Sequence, residues 1–391
     1  DGLATFNDNV DVSGNLDVDG TVDLNNTLTV DGLATFNDNV NILGNLSVGT
    51  NIMKLGSDIN GEAAGDQSGY SVSLSDDGTR VAIGAPYNDG NNSGHVRVYE
   101  WIGASWTQLG SDIDGEAADD NFGHSVSLSG DGTRVAIGAP GNDGANGNNS
   151  GHVRVYEWDG SSWNQLGDDI EGEAANDYSG YSVSLSNDGT RVAIGAPYND
   201  GINGTNTDSG HVRVYDWNGT LWNQLGIDID GESGGDNFGY SVSLSGDGTI
   251  VAIGALFNDG ANGFFSGHAR VYHWNDTLWV QLGSDIDGEA ANDQSGISVS
   301  LSDDGTIVAI GAWKNDGING TNTDSGHVRV YEWNGTSWVQ LGSDIDGEAV
   351  GDQSGISVSL SDDGTIVAIG AWKNDGINGT NTDSGHVRVY H

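Results

Sequence analysis

Two rhythms of apolar and polar residues divide the chain. Through the first fifty residues, apolar pairs spaced two apart return every six positions: Ala4/Phe6, Val10/Val12, Leu16/Val18, Val22/Leu24, Leu28/Val30, Ala34/Phe36, Val40/Ile42 and Leu46/Val48. Each pair puts two apolar side chains on one face of a very short strand, and the Gly, Asn and Asp between pairs read as turns. Strands this short cannot bury a face within a two-layer sheet. The pattern therefore predicts stacking along an axis, as a single-chain β-solenoid or a β-helix wound from several chains. Residues 1–50 are read as one domain, a hexad-repeat β-helical shaft, with no chemistry of its own.

From residue 51 the period lengthens to 54–59 residues, marked by Leu55, Leu109, Leu166, Leu225, Leu282 and Leu341 in the KLG and QLG tripeptides. The second unit shows its four strand-like runs clearly: HSVSLS at 124–129, RVAIGA at 134–139, HVRVYEW at 152–158 and WNQLG at 163–167. The Asp-Gly of GDGT and the NG or DG between paired tryptophans (Trp158/Trp163 here) are tight-hairpin signals. Four antiparallel strands per unit at this spacing predict the blades of a β-propeller. VAIGA, apolar on both faces, suits a strand packed between blades. SVSLS alternates bulky and small residues and suits the crowded innermost position.

Six copies of the SVSLS, VAIGA and HVRVY runs occur, but only five HVRVY runs continue through a tryptophan pair into QLG. The sixth QLG equivalent stands first, in MKLGSDI at 53–59. The reading is an all-β chain: a six-bladed propeller over 51–391, closed by an N-terminal strand and preceded by the shaft.

Composition supports this and narrows the partners. Gly (64 residues) is abundant and Pro (3) scarce, as in short strands joined by tight turns. No segment sustains a helical period, no apolar run would span a membrane, and there is no cysteine. A formal charge of −45 repels nucleic acid and anionic lipid, leaving cations and cationic surfaces as partners. Salty water would screen the self-repulsion, the Debye length falling to about 3 Å at 1 M. The chain starts at Asp1 without Met or a signal sequence, so a processed or excised piece of something longer is expected.

The blade units resemble the FG-GAP repeat, the propeller unit also found in the heads of integrin α-subunits. Residues 121–140, NFGHSVSLSGDGTRVAIGAP, carry the resemblance, with FG at Phe122 and Gly123 and GAP at 138–140. Phe238 and Gly239 repeat the FG; GAP recurs at 84–86 and 195–197, while later units read GAL or GAW. The resemblance implies a propeller. One departure matters: many integrin repeats carry a D-x-D-x-D-G calcium loop between FG and GAP, where this chain has only SDDGT or SGDGT. The hexad segment resembles the shafts of phage tail fibres and surface adhesins, which are commonly trimeric.

Other acidic turns follow QLG. Asp112, Asp114, Glu116 and Asp120 in the second unit, and Asp285, Asp287, Glu289 and Asp293 in the fifth, alternate oxygen ligands around a Gly and are candidate Ca²⁺ ligands. The competing reading is an exposed turn whose carboxylates cap backbone N–H groups. The loop NDGINGTNTDSG at 315–326 is a weaker cation candidate. His95, His152, His211, His268, His327 and His386 precede VRVY. They could form a metal ring, but Arg and Tyr two and four residues on share their strand face, so packing between blades is more economical. Sequons at Asn91, Asn148, Asn203, Asn218, Asn275, Asn319, Asn334 and Asn378 would be glycosylated in a eukaryotic secretory pathway.

No phosphate loop, G-x-S-x-G elbow or HExxH stands in the chain. A constellation repeated six times is also unlike a catalytic site, which needs one. The expectation is a non-enzymatic extracellular structural or adhesive protein at a cell or virion surface. It would be part of a fibre, appendage or filament, with self-assembly or other surface proteins as partners. The alternative is a lectin-like propeller binding glycans between blades.

Overall fold

A computed structural model describes residues 54–391 other than 202–203, 318–319 and 376–382. The expected shaft, residues 1–50, lies outside the described residues. The rest is a six-bladed all-β propeller: five five-stranded sheets and a sixth with three strands.

The second blade represents the first five. Ser125–Leu128, Arg134–Ala139 and His152–Trp158 form an antiparallel ladder, with Ser125 opposite Gly138 and Ala139 opposite His152. The third strand has two partners on its outer edge. Trp163–Gln165 pairs with its C-terminal half and the short strand Ile170–Glu171 with its start. Between those partners Leu166 still donates its N–H to the Val155 carbonyl at 2.7 Å, and Gly167 (φ +80°) makes the turn. The Leu166 carbonyl then accepts the Trp222 indole N–H of the next blade at 2.7 Å.

The core consists of the layers between blades. One joins Ala82, Val96, Val98 and Ile113 to Val126, Leu128, Val135 and Ile137; the next joins Ala136, Val153 and Val155 to Leu185, Val192 and Ile194. VAIGA thus turns Val135 and Ile137 to one neighbour and the small Ala136 to the other. SVSLS works likewise: Val126 and Leu128 enter one layer, while the serines bond the following blade. Ser125 Oγ donates to the Gly180 carbonyl at 2.8 Å, and Ser127 Oγ accepts the Leu185 N–H at 2.9 Å.

The same pattern explains the FG and GAP glycines. A Cβ on Gly138 would lie 2.0 Å from the Gly180 carbonyl oxygen, and Gly180 sits at φ +87°. Blade backbones approach too closely there for any side chain. Around the axis, N–H to carbonyl bonds step from Asp76 to Gly130, Asn187, Gly246, Asp303 and Asp362, one blade at a time.

At the seam between first and last blades this packing stops. Val72 and Leu74 are 63% and 60% exposed, where their counterparts Val126 and Leu128 are 8% and 6%. Val387 on the last strand is 68% exposed. The ladder expected between that strand, His386–Tyr390, and residues 53–59 is not among the described pairings. Residues 54–62 instead lie against the first blade: Leu55 accepts the Trp106 indole N–H (3.1 Å), Asn60 accepts from Arg97 (3.1 Å), and Glu62 faces Arg97 at 3.4 Å.

Candidate functional site

The start of the third strand in each of the first five blades gathers one histidine, one arginine and two carboxylates. The histidine opens the third strand, and its Arg and Tyr two and four residues on share its face, as alternation requires. The Asp comes from the turn after QLG in the same blade. The Glu comes from the turn that leaves the preceding blade or, for Glu62, from the segment ahead of the first blade. The resulting groups are Glu62/His95/Asp112, Glu116/His152/Asp169, Glu173/His211/Asp228, Glu232/His268/Asp285 and Glu289/His327/Asp344, with their ligand atoms within 4.8 Å of one another.

The arginine organises the carboxylates. Arg154 holds Asp169 through two bonds of 2.8 and 2.9 Å and also binds Glu116. Burial alone would raise the Asp169 pKa, but the bonds from Arg154 outweigh it and hold this carboxyl below its ordinary value. In the fifth group Arg329 bonds the Asp287 carbonyl at 2.7 Å and stands 3.8 Å from Glu289. The histidines are almost fully enclosed, at 1–3% exposure. Burial pushes His152, His211, His268 and His327 down to about 4, so these imidazoles are neutral at pH 7. The Nδ1 atoms of His152, His211 and His327 have no hydrogen-bond partner.

The structure divides the acidic residues of each post-QLG turn among different partners. Asp112 and Asp285 face His95 and His268 of their own blades, at 4.0 and 3.9 Å. Glu116 and Glu289 reach the next blade, toward Arg154 and His327. Asp114 and Asp287 sit on the short strand opposite His95 and His268. Asp120 and Asp293 are buried and accept bonds from the Ala117 and Ala290 N–H groups and from Asn142 and Asn315. Their burial raises both pKa values. The four carboxylates of one turn thus point at separate places.

Of the sequon asparagines, Asn91 and Asn148 are exposed before third strands. Asn218, Asn275 and Asn334 are exposed in outer hairpins, their side-chain oxygens accepting backbone N–H groups two and three residues on. Asn203, Asn319 and Asn378 lie outside the described residues. The repeat symmetry breaks at one mouth of the axis, where His124 stands between Tyr70 and Tyr181, and the Tyr181 hydroxyl donates to Tyr240 at 2.8 Å.

The Glu partner of each histidine escaped the sequence reading. It stands in the turn that leaves the preceding blade, so only the packing of successive blades brings the two together. The available signal was their joint recurrence once per unit.

Tandem blades locked by paired glycines, serine bonds and tryptophans define a repeat β-propeller. The FG-GAP repeat profile matches residues 60–99, 112–156, 171–215, 227–272 and 286–331, more than half of the chain, which therefore belongs to the FG-GAP repeat family. No curated protein matches it.

Proposed function

We infer that this is a non-enzymatic extracellular structural or adhesive protein, a component of a fibre, appendage or filament at a cell or virion surface. Residues 1–50 would form a β-helical shaft, and residues 51–391 would display the propeller. The FG-GAP propeller, a rigid stack of near-identical blades, supports this reading. Among the described residues His386–Tyr390 pairs only with Val367–Ala371, and KLGSDIN at 54–60 matches the QLGSDID that follows the third strand of the fifth blade. The two are complementary parts of one blade. Joined within a chain they close the ring; joined between chains they link one propeller to the next. The charge of −45 favours cationic surfaces and cations as further partners.

Electron microscopy of the native assembly tests the proposal. Propeller beads in regular array are expected, and uniformly solitary particles across a wide concentration range would overturn it. Calcium in the post-QLG turns is separately testable. A melting temperature that does not move between millimolar Ca²⁺ and excess chelator would leave them as plain turns.

A lectin is the second reading, favoured by a recess of about 230 Å³ between blades, lined by Trp338, Tyr331, Ser337, Asp285 and Asp287. An aromatic face beside carboxylates suits a sugar, but the volume lies below the ~300–1,000 Å³ of ordinary ligand pockets. Sub-millimolar binding on a glycan array would favour the lectin. Turnover abolished by a single substitution would revive an enzyme.

A further inference from the structure

We propose that the inter-blade Glu-His-Asp groups are binding sites for a divalent first-row transition metal, with one imidazole nitrogen and two carboxylate oxygens as ligands. The Glu173/His211/Asp228 group shows the geometry most fully. His211 Nδ1 is buried and has no hydrogen-bond partner. It lies 3.7 Å from Glu173 Oε2 and 4.0 Å from Asp228 Oδ2. Arg213 takes the other oxygen of each carboxylate: its Nε donates to Asp228 Oδ1 at 3.0 Å and its Nη2 contacts Glu173 Oε1. One nitrogen and two oxygens are thereby left facing a common point, while the guanidinium fixes both carboxylates from behind. Outer groups of this kind orient metal ligands.

The spacing is wrong for a hydrogen-bonded histidine and close to that of a liganded one. A structural imidazole N–H would meet a carboxylate at about 2.8 Å. Ligands at about 2.0–2.2 Å from one ion stand roughly 3.0–3.6 Å apart. The two histidine–carboxylate separations need to contract by only a few tenths of an ångström, and all three ligand atoms lie within 4.8 Å of one another. A buried polar atom without a partner calls for an explanation, and the same spacing recurs: 4.0 Å at His152 and 3.8 Å at His327, where Nδ1 is again unpartnered.

The donor set selects the ion. Calcium and magnesium take oxygen ligands, whereas imidazole suits zinc, copper, iron and nickel. A mixed set of one nitrogen and two oxygens therefore fits zinc or its neighbours and differs from the calcium reading of the turns. Placed between blades, the ion would tie the Glu of one unit to the His and Asp of the next. That is a second fastening beside the serine and tryptophan bonds. In the Glu289/His327/Asp344 group the guanidinium stands further from the carboxylate, so this site carries more uncompensated negative charge.

The test uses the full chain, stripped with chelator and titrated with Zn²⁺ in millimolar Ca²⁺ so that exposed carboxylates are already occupied. Uptake approaching five equivalents is expected, one per group. Glu173→Gln and His211→Gln should each remove one equivalent, and Co²⁺ in place of Zn²⁺ should lose the matching share of its visible absorption. Glu173 is partly exposed, so its variant answers the question if His211→Gln fails to fold. No uptake above the calcium background would overturn the proposal. So would uptake that both folded variants leave unchanged, which would identify the groups as hydrated salt-bridge pockets.

Discussion

Gly138 and Gly160 test what single residues do in this fold. A Cβ on Gly138 would enter the neighbouring blade 2.0 Å from a carbonyl oxygen, where only backbone movement could relieve it. Gly160 sits at φ +97° with nothing within 4 Å. Gly138→Ala should therefore cost about 3 kcal/mol or more by forcing blades apart, and Gly160→Ala only about 1–2 kcal/mol from its left-handed backbone. Urea denaturation of the two variants checks this; equal losses would mean that the blade contact yields. The histidines set a pH dependence. Burial lowers His152 from 6.5 to about 4, so the unfolded chain binds more protons between these values. This contribution is complete above pH 6.5, is lost as pH falls toward 4, and then levels off. A His152→Gln variant should lose less of its melting temperature between pH 7 and pH 5 than the parent chain; an equal loss would assign the effect elsewhere. The letters FG and GAP were legible in the sequence, as was the shared face of His, Arg and Tyr. What was not legible was contact across blades: Gly138 against Gly180, or Glu173 against His211. Each member of such a pair looks complete within its own repeat.

At the level of elements, the inner strands hold the blades together through serine. Ser184 Oγ accepts the Leu244 N–H of the next blade at 2.9 Å, and Ser182 Oγ donates to the Gly239 carbonyl at 2.8 Å. Ser184→Ala leaves a backbone donor between blades without an acceptor, which costs about 1–3 kcal/mol. Ser359, the corresponding serine of the last inner strand, is exposed at the seam. Its replacement by Ala should change stability by less than about 0.5 kcal/mol. Matching losses in the two variants would show that the serine bonds carry no net stability. The bulky–small alternation of SVSLS announced an inner strand, and the paired tryptophans announced the outer hairpin. The short strand Ile113–Asp114 went unrecognised and was read as part of an acidic turn. Two residues carry no period, and the turn at Gly110 (φ +72°) separates them from the strand before.

For the whole molecule, the decisive feature is the seam. Among the described residues five junctions share the serine bonds, whereas Val72, Leu74, Val387 and Val389 lie open at the sixth. An uncovered strand edge with apolar faces invites pairing with another strand. Residues 55–62 already make on the first blade the indole contact that Leu109, Leu166, Leu225 and Leu282 make on their successors, and Asn60 takes Arg97 as Asp287 takes Arg329. Their other edge is the one a third strand such as His386–Tyr390 would meet. If this segment completes the last blade, its removal uncovers the strand and takes the Trp106 and Arg97 contacts with it. Covering two apolar side chains is worth roughly 1.5–3 kcal/mol each. Deletion of residues 51–59 should therefore lower the melting temperature by about 5 °C or more, and deletion of 1–40 by far less. Equal melting temperatures in the two deletions would sink the closing-strand reading. Protein concentration separates the two ways of sealing the seam. A strand supplied within the chain gives a melting temperature independent of concentration. A strand supplied by a second chain makes it rise with concentration, because association stabilises only the folded state.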